Sequence, residues 1–162
     1  MHSTLPSPSA RPHTLRTNWM GLLARAPMSL LQSALMEHIP DVPVWLRKPE
    51  TGLMMVRGRV GGTGEPFNLG EITVTRCAIK IKDSQNHDRV GVAYVIGRSK
   101  KQALLVSLAD ALLQDELQWN FWEAKLIEPI NMHLANLKDS NAQKSQETKV
   151  DFFTLAREAG GE

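Results

Sequence analysis

The stretch from Lys100 to Gln114 carries Ala103, Leu104, Leu105, Val106, Leu108, Ala109, Ala111, Leu112 and Leu113. At helical spacing these positions surround the helix almost completely. A helix lying on one sheet face needs only an apolar stripe, roughly 100° wide. This segment constrains the fold more than any other. It must be buried from several sides, by other layers of the same chain or in part by a partner chain. Ser99 stands where a capping hydroxyl can meet the first unpaired helix amides, so the helix is predicted from Ser99 to about Gln114.

Strands are predicted ahead of it. Val42 to Lys48 reads as a first strand, and Glu50-Thr51-Gly52 as a turn. Leu53 to Val60 is a second strand, with Met54, Val56, Gly58 and Val60 on one face and Arg57 and Arg59 on the other. Gly61-Gly62-Thr63-Gly64 is a loop. Leu69 to Lys82 is a third strand, Asp83 to Asp88 a turn, and Val90 to Ile96 a fourth strand. Four consecutive strands with short connections imply a mainly antiparallel sheet.

Helices flank that sheet in the sequence. Leu15, Trp19, Leu22 and Leu23 recur at helical spacing from Thr14 onward. After Pro27, which suits a helix start, Leu30, Leu31, Ala34 and Leu35 repeat the pattern up to Pro40. Trp119, Trp122, Leu126, Ile130, Leu134 and Leu137 form a further stripe, with a break or kink expected at Pro129. The fold class is therefore α+β, a four-stranded antiparallel sheet with N-terminal and C-terminal helices. Residues 1–13, rich in Ser and Pro, read as a disordered extension. Residues 14–137 form a single domain, and 138–149 a polar linker. Residues 150–162 form a docking segment in which Val150, Phe152, Phe153 and Leu155 return abruptly to apolar character and Asp151 caps a short terminal helix.

Composition excludes several functions. The 162 residues carry a formal net charge of +2, a balance that disfavours a third reading, a nucleic-acid-associated adaptor. No apolar run approaches the roughly 20 residues of a membrane span. Pro6, Pro8 and Pro12 interrupt any signal-peptide core. A single cysteine, Cys77, excludes an internal disulfide and fits a reducing, cytoplasmic setting. The five histidines lie far apart, none close to Cys77 in metal-ligand spacing. Cys77 itself reads as a small core residue, and no nucleophile elbow is present. No catalytic residue and no metal ligand is assigned.

Two features invite a phosphate reading. The first is Gly61-Gly62-Thr63-Gly64-Glu65. Glycine loops bind phosphate through backbone amides. This one lacks the Lys-Ser or Lys-Thr of a P-loop and the third glycine of a dinucleotide fingerprint, and a strand follows it. A strand–strand loop is the plainer reading. The second is Arg57, Arg59, Arg76 and Arg98, whose planar forks suit phosphate or carboxylate, or equally a solvated sheet face. Near Thr75 and Arg76 the apolar phase switches from Ile72 and Val74 to Cys77, Ile79 and Ile81. A β-bulge that re-aims Arg76 would do this, as would a strand buried on both faces.

Several blocks together resemble the PhnG family. They are Glu50-Thr51-Gly52-Leu53, Arg59-Val60-Gly61-Gly62-Thr63-Gly64-Glu65, Thr73-Val74-Thr75-Arg76, Gly97-Arg98, Asp110-Ala111-Leu112 and Val150-Asp151-Phe152-Phe153-Thr154. The resemblance spans roughly residues 14–157. It implies a subunit of the carbon–phosphorus lyase core complex, assembled with PhnH, PhnI and PhnJ and assisted by PhnL. It implies that the complex transfers a phosphonate to the ribose C1 of ATP and releases adenine. It further implies an iron–sulfur cluster and S-adenosylmethionine on the PhnJ partner, and no cofactor in this chain. The rival from another class is an independent nucleoside-phosphate-binding enzyme built on the glycine loop and the arginines.

Overall fold

The computed structural model describes residues 13–39 and 44–147. Readings that fall on residues 1–12, 40–43 and 148–162 lie outside the described residues. These include most of the N-terminal extension and the docking residues Val150, Asp151, Phe152, Phe153 and Leu155.

Two helices open the described chain, α1 (His13–Leu23) and α2 (Met28–Leu35), with Pro27 extended at the N-cap of α2. Three strands follow: β1 (Val44–Arg59), β2 (Pro66–Lys82) and β3 (Asp88–Ile96). They form one antiparallel sheet in the order β1-β2-β3. Helix α3 (Lys100–Leu112) comes next, then α4 (Trp119–Trp122), a wide π turn (Glu123–Ile127) and α5 (Glu128–Glu147). The α+β class and the antiparallel sheet between helices are as expected.

The sheet has three strands rather than four. The expected turn at Glu50-Thr51-Gly52 does not form, and the first two expected strands are one, β1. Thr51 pairs with Thr75 and Gly52 with Val74, both in extended conformation. Pro49 is tolerated for two reasons. β1 is an edge strand, where a missing donor need not break a ladder. The register also steps from Arg47↔Ala78 to Glu50↔Arg76, so pairing passes over Pro49. The irregularity expected in β2 at Arg76 thus lies on β1, opposite Cys77. Through Arg76 itself, β2 and β3 stay in unbroken register. The phase switch has the other cause: Val74 and Thr75 are consecutive and both buried.

Helix α3 is the centre of the core. One side meets β2 and β3, where Cys77, Ile79, Ala93 and Val95 are buried, and α1 and α2 close over it with Trp19, Leu23, Leu31 and Leu35. Its nearly continuous apolar surface is thus covered by this chain's own layers. The approach to β3 is close enough to require glycine. A Cβ at Gly91 would fall on the Ser107 carbonyl and lie 2.8 Å from Ala111 Cβ. Ser99 caps α3 as expected, accepting from the Gln102 amide at 3.2 Å.

Pro129 does not break the last helix. It sits in the first turn of α5, where its missing N–H costs little. The turn ahead of it widens to the π form over Glu123–Ile127, which makes room for the ring against the carbonyl four residues back. Trp122, Leu126 and Ile130 still reach the core. Helix α5 then runs to Glu147, so most of the polar stretch read as a linker takes helical form.

Candidate functional site

β1 and β2 continue well past the end of β3. The last β3 residue, Ile96, pairs with Val74, while β1 and β2 remain paired from Gly52↔Val74 out to Arg59↔Pro66. Beyond Val74 the sheet therefore narrows to a two-stranded arm with a root, a shaft and a tip. Five of the six sequence blocks quoted above lie within the described residues, and four of these fall on the arm or where it joins the sheet.

At the root, blocks from β1, from β2 and from just after β3 meet. Thr75 Oγ1 donates to the Gly97 carbonyl at 2.7 Å and lies 3.2 Å from Thr51 Oγ1. The Gly97 amide donates to the Thr73 carbonyl at 2.9 Å. Gly97 holds φ 101°, a conformation that favours glycine. On the exposed face Arg76 Nε donates to Glu50 Oε1 at 2.7 Å, and Arg47 Nη1 to the same oxygen at 2.6 Å. The Arg76 hydrogen bond, followed by that of Arg47, holds the Glu50 carboxyl below the usual carboxylate range.

At the tip each glycine has a steric reason. Gly61 and Gly62 turn the chain at φ 60° and 81°. A Cβ on Gly64 would sit 2.8 Å from the Val60 carbonyl, which accepts the Gly64 amide at 2.9 Å. Arg59 Nη1 donates to the Gly64 carbonyl at 3.0 Å and ties the turn to β1. Thr63 and Glu65 are exposed. Strand β2 follows the loop, so no helix N-terminus stands behind it to hold a phosphate.

The arginines are not gathered around one point. Arg57 and Arg59 lie near the tip, Arg76 at the root, and Arg98 just after Gly97. At ordinary strand rise the root and tip are roughly 25–30 Å apart. Arg76 is brought together with Arg47 and Glu50, and Arg59 with the loop backbone. Among the described residues no three His, Cys, Asp or Glu side chains group as a metal site. No described helix is long and apolar enough to cross a membrane.

Sequence reasoning missed a buried junction at Asp110. Its carboxylate is fully buried. Arg16 donates to it from Nε at 3.2 Å and Nη2 at 2.7 Å, Trp19 Nε1 at 2.9 Å, and the Val92 amide at 2.9 Å. One side chain thereby ties α1, β3 and α3. Arg16 and Gln114 also donate to the Val90 carbonyl. Between them these groups pair the Val90 carbonyl and the Val92 amide of β3. The available signal was a lone charge inside the otherwise apolar run Leu108-Ala109-Asp110-Ala111-Leu112, since an aspartate is rarely buried unless paired. Cys77 lies within β2, is buried, and accepts the hydroxyl of Ser107 on α3. Burial pushes its thiol pKa up.

The described chain thus joins a compact core to an arm whose root and tip are built from the quoted blocks. Comparison with known proteins gives the same grouping. Residues 14–158 match the family model described as phosphonate metabolism protein PhnG. A protein of Rhizobium meliloti (strain 1021), named alpha-D-ribose 1-methylphosphonate 5-triphosphate synthase subunit PhnG, is 40% identical over 144 residues, 88% of either chain. A match of that extent, over residues 14–158 and at 40% identity across 88% of both chains, shows that the chain belongs to the PhnG family.

Proposed function

We propose that this chain is a subunit of alpha-D-ribose 1-methylphosphonate 5-triphosphate synthase, within the carbon–phosphorus lyase complex of phosphonate catabolism. The observation that carries the reading is the 40% identity to a so-named subunit across 88% of both chains. In this role the chain supports transfer of a phosphonate to the ribose C1 of ATP with release of adenine. It contributes surfaces rather than the reacting groups. Its partners are PhnH, PhnI and PhnJ, with PhnL assisting, and the assembly works in the cytoplasm. The iron–sulfur cluster and S-adenosylmethionine belong to the PhnJ partner. Arg57, Arg59, Arg76 and Arg98 face other subunits or the substrate they hold. The C-terminal residues Val150, Asp151, Phe152, Phe153 and Leu155 supply a second contact with a partner.

The test is co-expression with PhnH, PhnI and PhnJ, mass measurement of the purified assembly, and an assay of adenine release from ATP and methylphosphonate with PhnL present. The complex is expected to contain this chain and to release adenine, and the chain alone to release none. Adenine release by the chain alone would favour the independent nucleoside-phosphate enzyme. Failure to co-purify with any of the three subunits would end the subunit reading.

A further inference from the structure

The arm spans residues 52–73, and most of it is exposed. Leu53, Met54 and Met55 are consecutive in β1, so they alternate between the two faces of the ribbon. All three are exposed, Leu53 by 67%. Leu69, in the shaft, is also 67% exposed, and Val60 at the tip 70%. The arm is therefore apolar on both faces. Its charges balance, with Arg57 and Arg59 against Glu65 and Glu71. Among the described residues no third strand flanks it on either edge. A two-stranded ribbon alone in water is marginally stable at best. A large exposed apolar surface marks an interaction site.

Resting on the proposed function, we infer that this arm is the main docking element of the chain. Its occupant is a single non-identical subunit of the synthase, which encloses the ribbon from both faces in a mainly apolar cleft with polar groups opposite Arg57, Arg59, Glu65 and Glu71. Three observations select that occupant. Apolar side chains on both faces require a cleft rather than a flat patch. A second copy of this chain, docked arm to arm about a twofold axis, would cover one face or one edge of each ribbon and leave the other face in water. The balanced charge favours neither a strongly acidic nor a strongly basic partner surface. The size also fits. Two strands of eight residues, about 27 Å long and about 10 Å wide, offer on the order of 600–800 Å² over both faces and edges. A stable specific interface takes about 800 Å² from each partner.

The experiment uses the full chain co-expressed with the other synthase subunits. The photoreactive residue p-benzoylphenylalanine replaces Met54 in one sample and Met55 in another, and the purified complexes are irradiated. The expected result is an adduct from both positions to the same non-identical subunit. In parallel, Leu53→Asp with Leu69→Asp should weaken association at least tenfold while leaving the thermal midpoint of the free chain unchanged. Adducts between two copies of this chain would overturn the inference. So would adducts from one position only, or none in an intact complex, or a double variant that assembles normally or unfolds. If the unsubstituted chain joins no complex, the subunit reading fails with it. A complex that forms without arm adducts overturns the docking inference alone.

Discussion

Gly91 and Asp110 hold the core together in opposite ways, one by what it lacks and one by what it binds. At Gly91 there is no room for a methyl group, because the backbone of α3 occupies the space. Gly91→Ala must push α3 off β3, and the expected cost is about 3 kcal/mol, the upper end for overpacking. A denaturant midpoint measures it. At Asp110, removing the carboxylate leaves the Trp19 indole N–H and the Val92 amide without their acceptor, and the Arg16 guanidinium with only the Val90 carbonyl. Asp110→Ala is expected to cost about 3–5 kcal/mol, as for a buried pair broken from one side. Glu50 makes two equally short contacts, but it sits in water where solvent screens them. Glu50→Gln should therefore move the same midpoint far less. A Glu50→Gln loss as large as that of Asp110→Ala would refute this ranking.

Elements were more legible than their joins. The periodicity of α1, α2 and α3, the Ser99 cap, the turn after Lys82 and both later strands could be read from local chemistry. Ser99→Ala should cost about 1 kcal/mol through the lost cap, seen as a lower thermal midpoint with unchanged helix content. The missed feature was the unity of β1. Pro49 and Gly52 are turn residues by local preference, yet thirteen cross-strand pairs with β2 outweigh that preference. Local propensity yields to pairing in sheets. The π turn was visible only as Pro129, because sequence shows the obstacle and not how the helix passes it. The candidate site was legible as blocks of residues. That Glu50, Thr51, Thr75, Arg76 and Gly97 meet at one root depends on strand register, which no single stretch of sequence contains.

At the scale of the whole molecule, the core is self-sufficient and the arm is not. The free chain is expected to self-associate at high concentration through the exposed arm and to become monodisperse once bound to its partner subunits. Light scattering before and after their addition checks this, and a free chain that stays monomeric would count against it. Stability should also fall in acid. Burial alone would raise the Asp83 carboxyl, but hydrogen bonds from the His87 amide, Arg89 and the Gln85 amide outweigh it. At Asp115 burial is likewise outweighed by Ser84 and the amides of Leu117 and Gln118. Both carboxyls thus titrate lower in the folded chain than the ordinary aspartate value of 3.8. Their contribution is complete above that value and lost as pH falls through the lower folded values. The thermal midpoint should be level near neutrality and drop below about pH 4, with a smaller drop in the Asp83→Asn, Asp115→Asn double variant. Strand β2 carries one last consequence. It runs as one element from the core to the tip, with a single register step at Leu69, so the arm behaves as a lever about 27 Å long. A tilt of about 5° at its fulcrum swings the tip through roughly 2.4 Å over that length, enough to miss a fitted seat. Aiming accuracy is therefore set at Thr75, Gly97 and the Glu50–Arg76 pair, and small losses there should be read out, magnified, at the far end.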